Sequence, residues 1–272
     1  MYDPALAESW DAVGLVCGDP AQVVRRVLFA VDPVAAVVDE AVEWGADLIV
    51  AHHPLYLRGT TSVAATTFKG RVVHRLIKND IALFTAHTNA DVADPGVSDA
   101  LAWAVGLIGP LRPLQPLPGD NRRGLGRIGE LPERMSLREF AELAAKGLPP
   151  TAGPLRVAGD PDRMVRTIAV SGGAGDSLLG AARAARVDVF LTADLRHHPA
   201  SEFMEAAVLG DGPALIDAAH WATEWPWLAD AAHRLTSRLG TKGTTVETRV
   251  SDKVTDAWTA IASGPTGLDP LR

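Results

Sequence analysis

Six side chains in this 272-residue chain have the types and spacing of metal ligands. His52 and His53 stand side by side before Pro54, His87 is followed four residues on by Asp91, and His220 four residues on by Glu224. A spacing of four puts each imidazole and its carboxylate on one side of a helical turn. Neighbours in an extended segment point to opposite sides, but in a loop after a strand two adjacent imidazoles can serve two ions, one each. Four imidazoles and two carboxylates suit two divalent transition ions such as Zn, Fe, Mn, Co or Ni, whereas Ca and Mg prefer all-oxygen shells. Two such ions would acidify a water held between them and polarise a bond under attack, which is the chemistry of a metal-dependent hydrolase. No Ser-His-Asp arrangement or reactive cysteine stands out as a rival nucleophile. A lone histidine in a helical stretch is more often structural, and His74 and His233 take that reading.

Other groups gather around these. Thr192-Ala-Asp194-Leu-Arg-His197-His198-Pro199 supplies Asp194, His197 and His198 as catalytic or substrate-contacting candidates. His197 or His198 could serve as general acid, because an imidazole titrates near ~6.5; a capped helix start at the surface would explain the same residues. Ser171-Gly-Gly-Ala-Gly175-Asp176 follows a strand and precedes a helix, so its amides could cradle a phosphate. A tight turn capped by Asp176 is the competing reading, and the segment matches neither the dinucleotide fingerprint nor the Walker pattern. Trp221, Trp225 and Trp227 flank His220 and Glu224 and either wall a pocket or stack a base. Asp11 is placed to orient a metal-binding imidazole.

An α/β scaffold must position these groups. Short apolar runs alternate with helix-like segments, the pattern of a mostly parallel sheet. Strands are expected at 27–31, 47–51 and 81–86, then near 124–131, 167–170, 187–191, 214–216 and 244–250. Helices are expected at 34–44, 70–79, 137–146, 177–185, 199–209 and 228–239. Ser136 and Glu139 form a capping box for the third of these. His52, His53, His87, Asp194 and His220 all fall just past the carboxyl ends of expected strands, the edge where open parallel sheets bind ligands. The four prolines between Gly109 and Arg123 cannot continue a helix and suggest a boundary. The expected organisation is a first lobe at 1–110, a Pro-rich connector at 111–123 and a second lobe at 124–272, whose C-terminal segment could pack back on the first. An echo links the halves: Asp47 and Asp188 each lead an apolar strand into His-His-Pro.

Composition narrows the classes. Apolar residues make up 47% and charged residues 22%, as in folded globular domains rather than disordered chains. A net charge of −7 gives no general attraction to nucleic acid or anionic lipid. One cysteine, Cys17, forbids an internal disulfide and argues against a cysteine-built zinc site. No export signal or membrane-length apolar run is visible, so a cytoplasmic protein is expected.

The segments Trp10-Asp-Ala-Val-Gly-Leu15, His52-His-Pro-Leu55, His87-Thr-Asn-Ala-Asp91, Ser171-Gly-Gly-Ala-Gly175, Thr192 to His198 and His220-Trp-Ala-Thr-Glu224 resemble, in type and order, those of the GTP cyclohydrolase I type 2 homologues, also named after an NGG-interacting factor. The resemblance spans Ala7 to Glu224. It implies a two-lobed α/β fold, a dinuclear metal site in the crevice between the lobes, and a toroidal homohexamer built as a trimer of dimers. It also implies His52, His53, His87, Asp91, His220 and Glu224 as ligands, with Glu224 or Asp91 bridging. The family label implies opening of the imidazole ring of GTP; a phosphoester or another nucleotide-derived substrate fits as well. A non-catalytic metal-handling ring that binds partner proteins is the alternative. The sequence departs from the family pattern at Ala12, where Asn is usual, and at Ala193 and Ala219, where Gly is usual. At 272 residues it resembles the compact members that lack a large inserted domain.

Overall fold

A computed structural model describes residues 1–208, 212–262 and 268–270. The chain divides into two compact units, Met1–Ala90 with Leu228–Thr255, and Asp91–Trp227 with Asp256–Arg272. The first unit opens with β1 (Gly14–Cys17), β2 (Arg26–Ala30), α1 (Ala35–Trp44), β3 (Leu48–Ala51), α2 (Phe68–Lys78) and β4 (Ala82–Thr85). α1 stops at Gly45, whose φ of 72° is left-handed and costs glycine no Cβ clash. α2 starts where the Thr67 hydroxyl accepts the Gly70 N–H at 3.0 Å.

A short helix, α3 (Thr88–Asp91), leads to α4 (Val97–Ala104), β5 (Ile108–Pro116), β6 (Gly124–Ser136), α5 (Leu137–Gly147), β7 (Arg156–Ala158), β8 (Met164–Ala174), α6 (Leu179–Ala184), β9 (Val189–Ala193), α7 (His197–Val208), β10 (Ala214–Ala218) and α8 (His220–Glu224). The expected capping box holds at α5: the Ser136 hydroxyl accepts the Glu139 N–H, and the Glu139 carboxylate accepts the Ser136 N–H at 2.7 Å. The chain then runs through α9 (Pro226–Gly240) and β11 (Glu247–Val250) to a hairpin of β12 (Ala260–Ala262) and β13 (Leu268–Pro270). The expected end of α7 at Leu209 lies outside the described residues.

The first sheet has the order β1-β4-β3-β2-β11, parallel except at β1. Along it, Leu28, Ile49 and Leu83 point into a core with Val37, Val38 and Ala41 of α1 and Val72, Val73 and Leu76 of α2. The second sheet has the order β5-β6-β8-β9-β10-β7. It is parallel through β8, β9 and β10 and antiparallel at both flanks. Its two faces feed separate cores, one around Phe140, Ile168, Leu191 and Ile216, the other around Phe190, Leu179, Phe203 and Leu215, as a sheet covered on both sides requires.

Residues 108–116, largely within the Pro-rich stretch, form a strand rather than a free connector. β5 is an edge strand, where a proline withholds no N–H that a neighbour needs. β1 and β7, also unanticipated, are edge strands of four and three residues, too short to show a period.

The echo between the halves is structural. Asp47 accepts the N–H groups of Arg25 and Arg26 at 2.7 and 2.8 Å, and Asp188 accepts those of Arg166 and Thr167, both at 2.8 Å. In both cases the sequence separations are 22 and 21 residues. Val27 pairs with Leu48 in one sheet and Ile168 with Val189 in the other. A third parallel strand follows each pair, and after that strand come a histidine and, four residues on, a carboxylate that closes a short helix, His87 and Asp91 with α3, His220 and Glu224 with α8.

Candidate metal centre

Three expected ligands lie in the first unit. His52 and His53 follow β3 directly, and their amides extend the ladder to Ala30 and Val31 of the neighbouring strand at 3.0 and 2.8 Å. The pairing fixes the backbone that carries both rings. His87 stands two residues past β4. The three ring centroids are 5.1, 5.2 and 5.6 Å apart, and one ligand nitrogen from each ring falls within 4.8 Å of the others. His52 is buried, His53 and His87 half-buried.

The Nδ1 side of each ring is held by an acceptor. His52 Nδ1 lies 2.9 Å from the Ala86 carbonyl, His53 Nδ1 2.7 Å from Asp32, and His87 Nδ1 2.9 Å from Asp11. An acceptor there keeps the proton on Nδ1 and leaves a lone pair on Nε2, the arrangement of metal-ligating histidines. The carboxylates are held in turn. Asp11 accepts from the Thr88 N–H at 3.0 Å, the Thr88 hydroxyl at 2.5 Å and the Ala12 N–H at 2.7 Å; Asp32 accepts from the Thr255 hydroxyl at 2.5 Å.

These contacts set protonation. Burial pushes the Asp11 carboxyl up, but the hydrogen bonds from Thr88, His87 and Ala12 outweigh it and leave the group below its ordinary value. Burial, then the neighbouring His52, pulls the His87 imidazole down, with Asp11 only partly opposing. A neutral His87 is the form that donates a lone pair.

The second unit repeats the device. His220 opens α8 and Glu224 closes it, with His220 Nε2 3.0 Å from Glu224 Oε1 and Glu224 buried. His220 Nδ1 lies 2.7 Å from Asp194 Oδ2. Asp194 has a left-handed φ of 56°, a conformation that Asp tolerates better than most residues. Gly173, with φ 67°, passes so close that a Cβ there would sit 2.6 Å from Glu224 Oε1 and 3.2 Å from His220 Nε2. The missing side chain makes a cradle around two donor atoms. Asp91 closes α3 four residues after His87, which stands just before that helix, and is half-buried, whereas His220 and Glu224 both lie within α8. Imidazole nitrogens held by Nδ1 acceptors, with carboxylates nearby, fit a divalent ion of the first transition row.

The remaining candidates separate. Asp194 meets His220, whereas His197 and His198 are exposed at the start of α7 and stack edge-on with each other at 5.2 Å. His197 lines a cavity of about 310 Å³ with Arg156, Ser201 and Asp217. The glycine segment is not an anion cradle. Ser171 to Ala174 belong to β8, and the amides of Gly172, Gly173 and Gly175 already donate to the Ser98 hydroxyl, the Thr223 hydroxyl and the Ala193 carbonyl. Trp221 and Trp227 are core residues, 4% and 0% exposed, and present no face for a base. Ala12, Ala193 and Ala219 all have ordinary negative φ, so alanine stands in those segments without strain. Asp32 went unread in the sequence, although it directly follows an expected strand at the same edge as the histidines.

A family model described as Duf34/NIF3 (NGG1p interacting factor 3) matches residues 1–257. A Streptomyces coelicolor protein named GTP cyclohydrolase 1 type 2 homolog is 63% identical over 269 residues, covering 98% of this chain and 93% of its own. A Mycobacterium tuberculosis protein of the same name is 38% identical, covering 94% of this chain and 93% of its own. That alignment runs over 362 positions, so the mycobacterial protein carries residues that this chain lacks. Among solved structures, a Bacillus cereus protein related to NIF3 superposes with a TM-score of 0.82 at 27% identity, covering 95% of each chain. A Staphylococcus aureus hypothetical protein gives the same TM-score at 28% identity, covering 95% of this chain and 94% of its own.

Proposed function

The chain belongs to the Duf34/NIF3 family, and from that premise we propose that it is a divalent-metal-dependent hydrolase with His52, His53, His87, Asp91, His220 and Glu224 as ligands to two ions. The observation that carries this reading is the Nδ1 anchoring of all four imidazoles, to Ala86, Asp32, Asp11 and Asp194. Hydrogen-bonded structural histidines would need no such shared orientation. When bound, the ions would supply Lewis acidity and a water acidified toward neutrality.

The chain's own residues do the rest. Asp11, Asp32 and Asp194 orient the rings and raise their basicity as ligands. Gly173 leaves room for the Glu224 carboxylate to lie against His220. His197 or His198 is assigned the general acid, both imidazoles being exposed at the start of α7. The substrate class follows the family likeness and the printed names of the relatives: a nucleotide or phosphoester. The assembly is proposed as a homohexamer acting in the cytoplasm; no helix among the described residues is long and apolar enough to cross a membrane.

The test is metal analysis of the purified protein together with turnover of a panel of nucleotides, phosphoesters and cyclic amides. Tightly held metal, with turnover abolished by His53→Ala, is expected. Readily exchanged metal with no turnover of any member would overturn the hydrolase and favour a metal-handling scaffold. Sedimentation at the mass of a single chain would remove the hexamer.

A further inference from the structure

A second cavity lies in the first unit, on the face of the first sheet opposite α1 and α2. Alternation along the strands sends Leu28, Ile49 and Leu83 to the α1/α2 core and Phe29, Val50 and Phe84 to the other face. α9 faces these with Leu235 and Leu239, and the space left between has a volume of about 420 Å³. That lies within the range of ~300 to 1,000 Å³ typical of small-molecule sites. Val50, Phe84, Leu235 and Leu239 are half-buried, so the cavity is apolar and reachable.

The charged side chains in its lining are of one sign. Arg238, in the last turn of α9, and Lys242, four residues on, both line the cavity and are exposed. Among the described residues neither pairs with a carboxylate. An apolar interior under two unneutralised cations complements a molecule with an apolar body and an anionic head. Burial of the body would be favoured by area, and the head would meet positive charge at the water boundary without being desolvated.

We propose that this cavity binds a small amphipathic anion, of the class of a medium-chain carboxylate, with its tail against Phe29, Val50 and Phe84 and its head between Arg238 and Lys242. The site uses none of the proposed metal ligands, so it stands or falls independently of the hydrolase reading.

Calorimetric titration of the full chain with sodium decanoate tests it. One saturable site per chain is expected, with decanol, the uncharged molecule of the same length, binding about tenfold more weakly. The Arg238→Gln/Lys242→Gln protein should lose the preference for decanoate, and raising salt should weaken decanoate in the wild type but leave decanol unchanged. Absence of saturation, or equal affinity for decanoate and decanol, would overturn the proposal. Retention on phosphatidylglycerol vesicles without a saturable decanoate site would overturn it in favour of a membrane surface, and self-association that abolishes decanoate binding in favour of a second copy of the chain.

Discussion

Asp11 and Asp32 matter because each grips an imidazole from behind. Asp32→Asn or Asp11→Asn should lower metal affinity by about 10- to 100-fold with the fold intact, as read by competition with a chromogenic chelator. An unchanged affinity would show that the rings are aimed by packing alone. The same contacts fix a pH dependence in the metal-free protein. The folded His87 has a pKa below the unfolded value of about 6.5, so as pH falls below that value the unfolded chain takes up a proton first and stability declines. The folded Asp11 has a pKa below the unfolded value of about 3.9, so its carboxylate adds stability above that pH and loses it as pH falls through the folded value. Thermal midpoints should therefore fall in two stages, and His87→Gln should remove the upper one. The six proposed ligand positions could be picked out of the sequence because spacing of four and strand ends are local signals. Their anchors were only partly so: Asp11 was read from its motif, but Ala86 acts through a carbonyl that every residue possesses.

At the scale of elements, Gly173 and α8 define one another. Gly173→Ala places a methyl group against Glu224 and His220 and forces a left-handed φ on alanine, at about 1 kcal/mol for the backbone alone. Loss of metal affinity well beyond that small destabilisation is the expected result, measured by calorimetry beside a denaturation curve. Elsewhere in the second unit, Arg127 is 1% exposed and donates to Asp99 at 2.8 Å, to the carbonyls of Gly124 and Gly126 at 2.8 Å, and to Ala93. Burial pushes the Asp99 carboxyl up despite Arg127. Asp99→Ala leaves a buried cation short of its partner and should cost about 3 kcal/mol, visible in the urea midpoint. The central strands and the α5 capping box were legible because apolar runs and caps are local. β1, β5 and β7 were not, since edge strands are half-exposed and tolerate proline. His197 and His198 were read with the site because they adjoin Asp194 in sequence; α7 begins there and leaves both imidazoles exposed.

For the whole molecule, the repeated Asp47 and Asp188 clasps show that two copies of one strand-helix-strand plan underlie the chain. Asp47→Asn and Asp188→Asn should each weaken two charge-assisted bonds to backbone amides, costing similar amounts of about 1 kcal/mol; unequal losses would show that the likeness is one of shape alone. The repeat was legible only as two short echoes, because the equal offsets live in pairing register. The register also dictates an order of events. β2 meets β3, and β8 meets β9, across 21 residues, whereas β11 reaches β2 across 221. All six strands of the second sheet come from one continuous stretch. Closing a long loop costs entropy before its contacts repay it. A chain emerging from the ribosome can thus complete its second sheet first, while β2 carries an open edge until residue 250 has been made. The period before that strand arrives is when the nascent chain is most exposed to pairing with its neighbours.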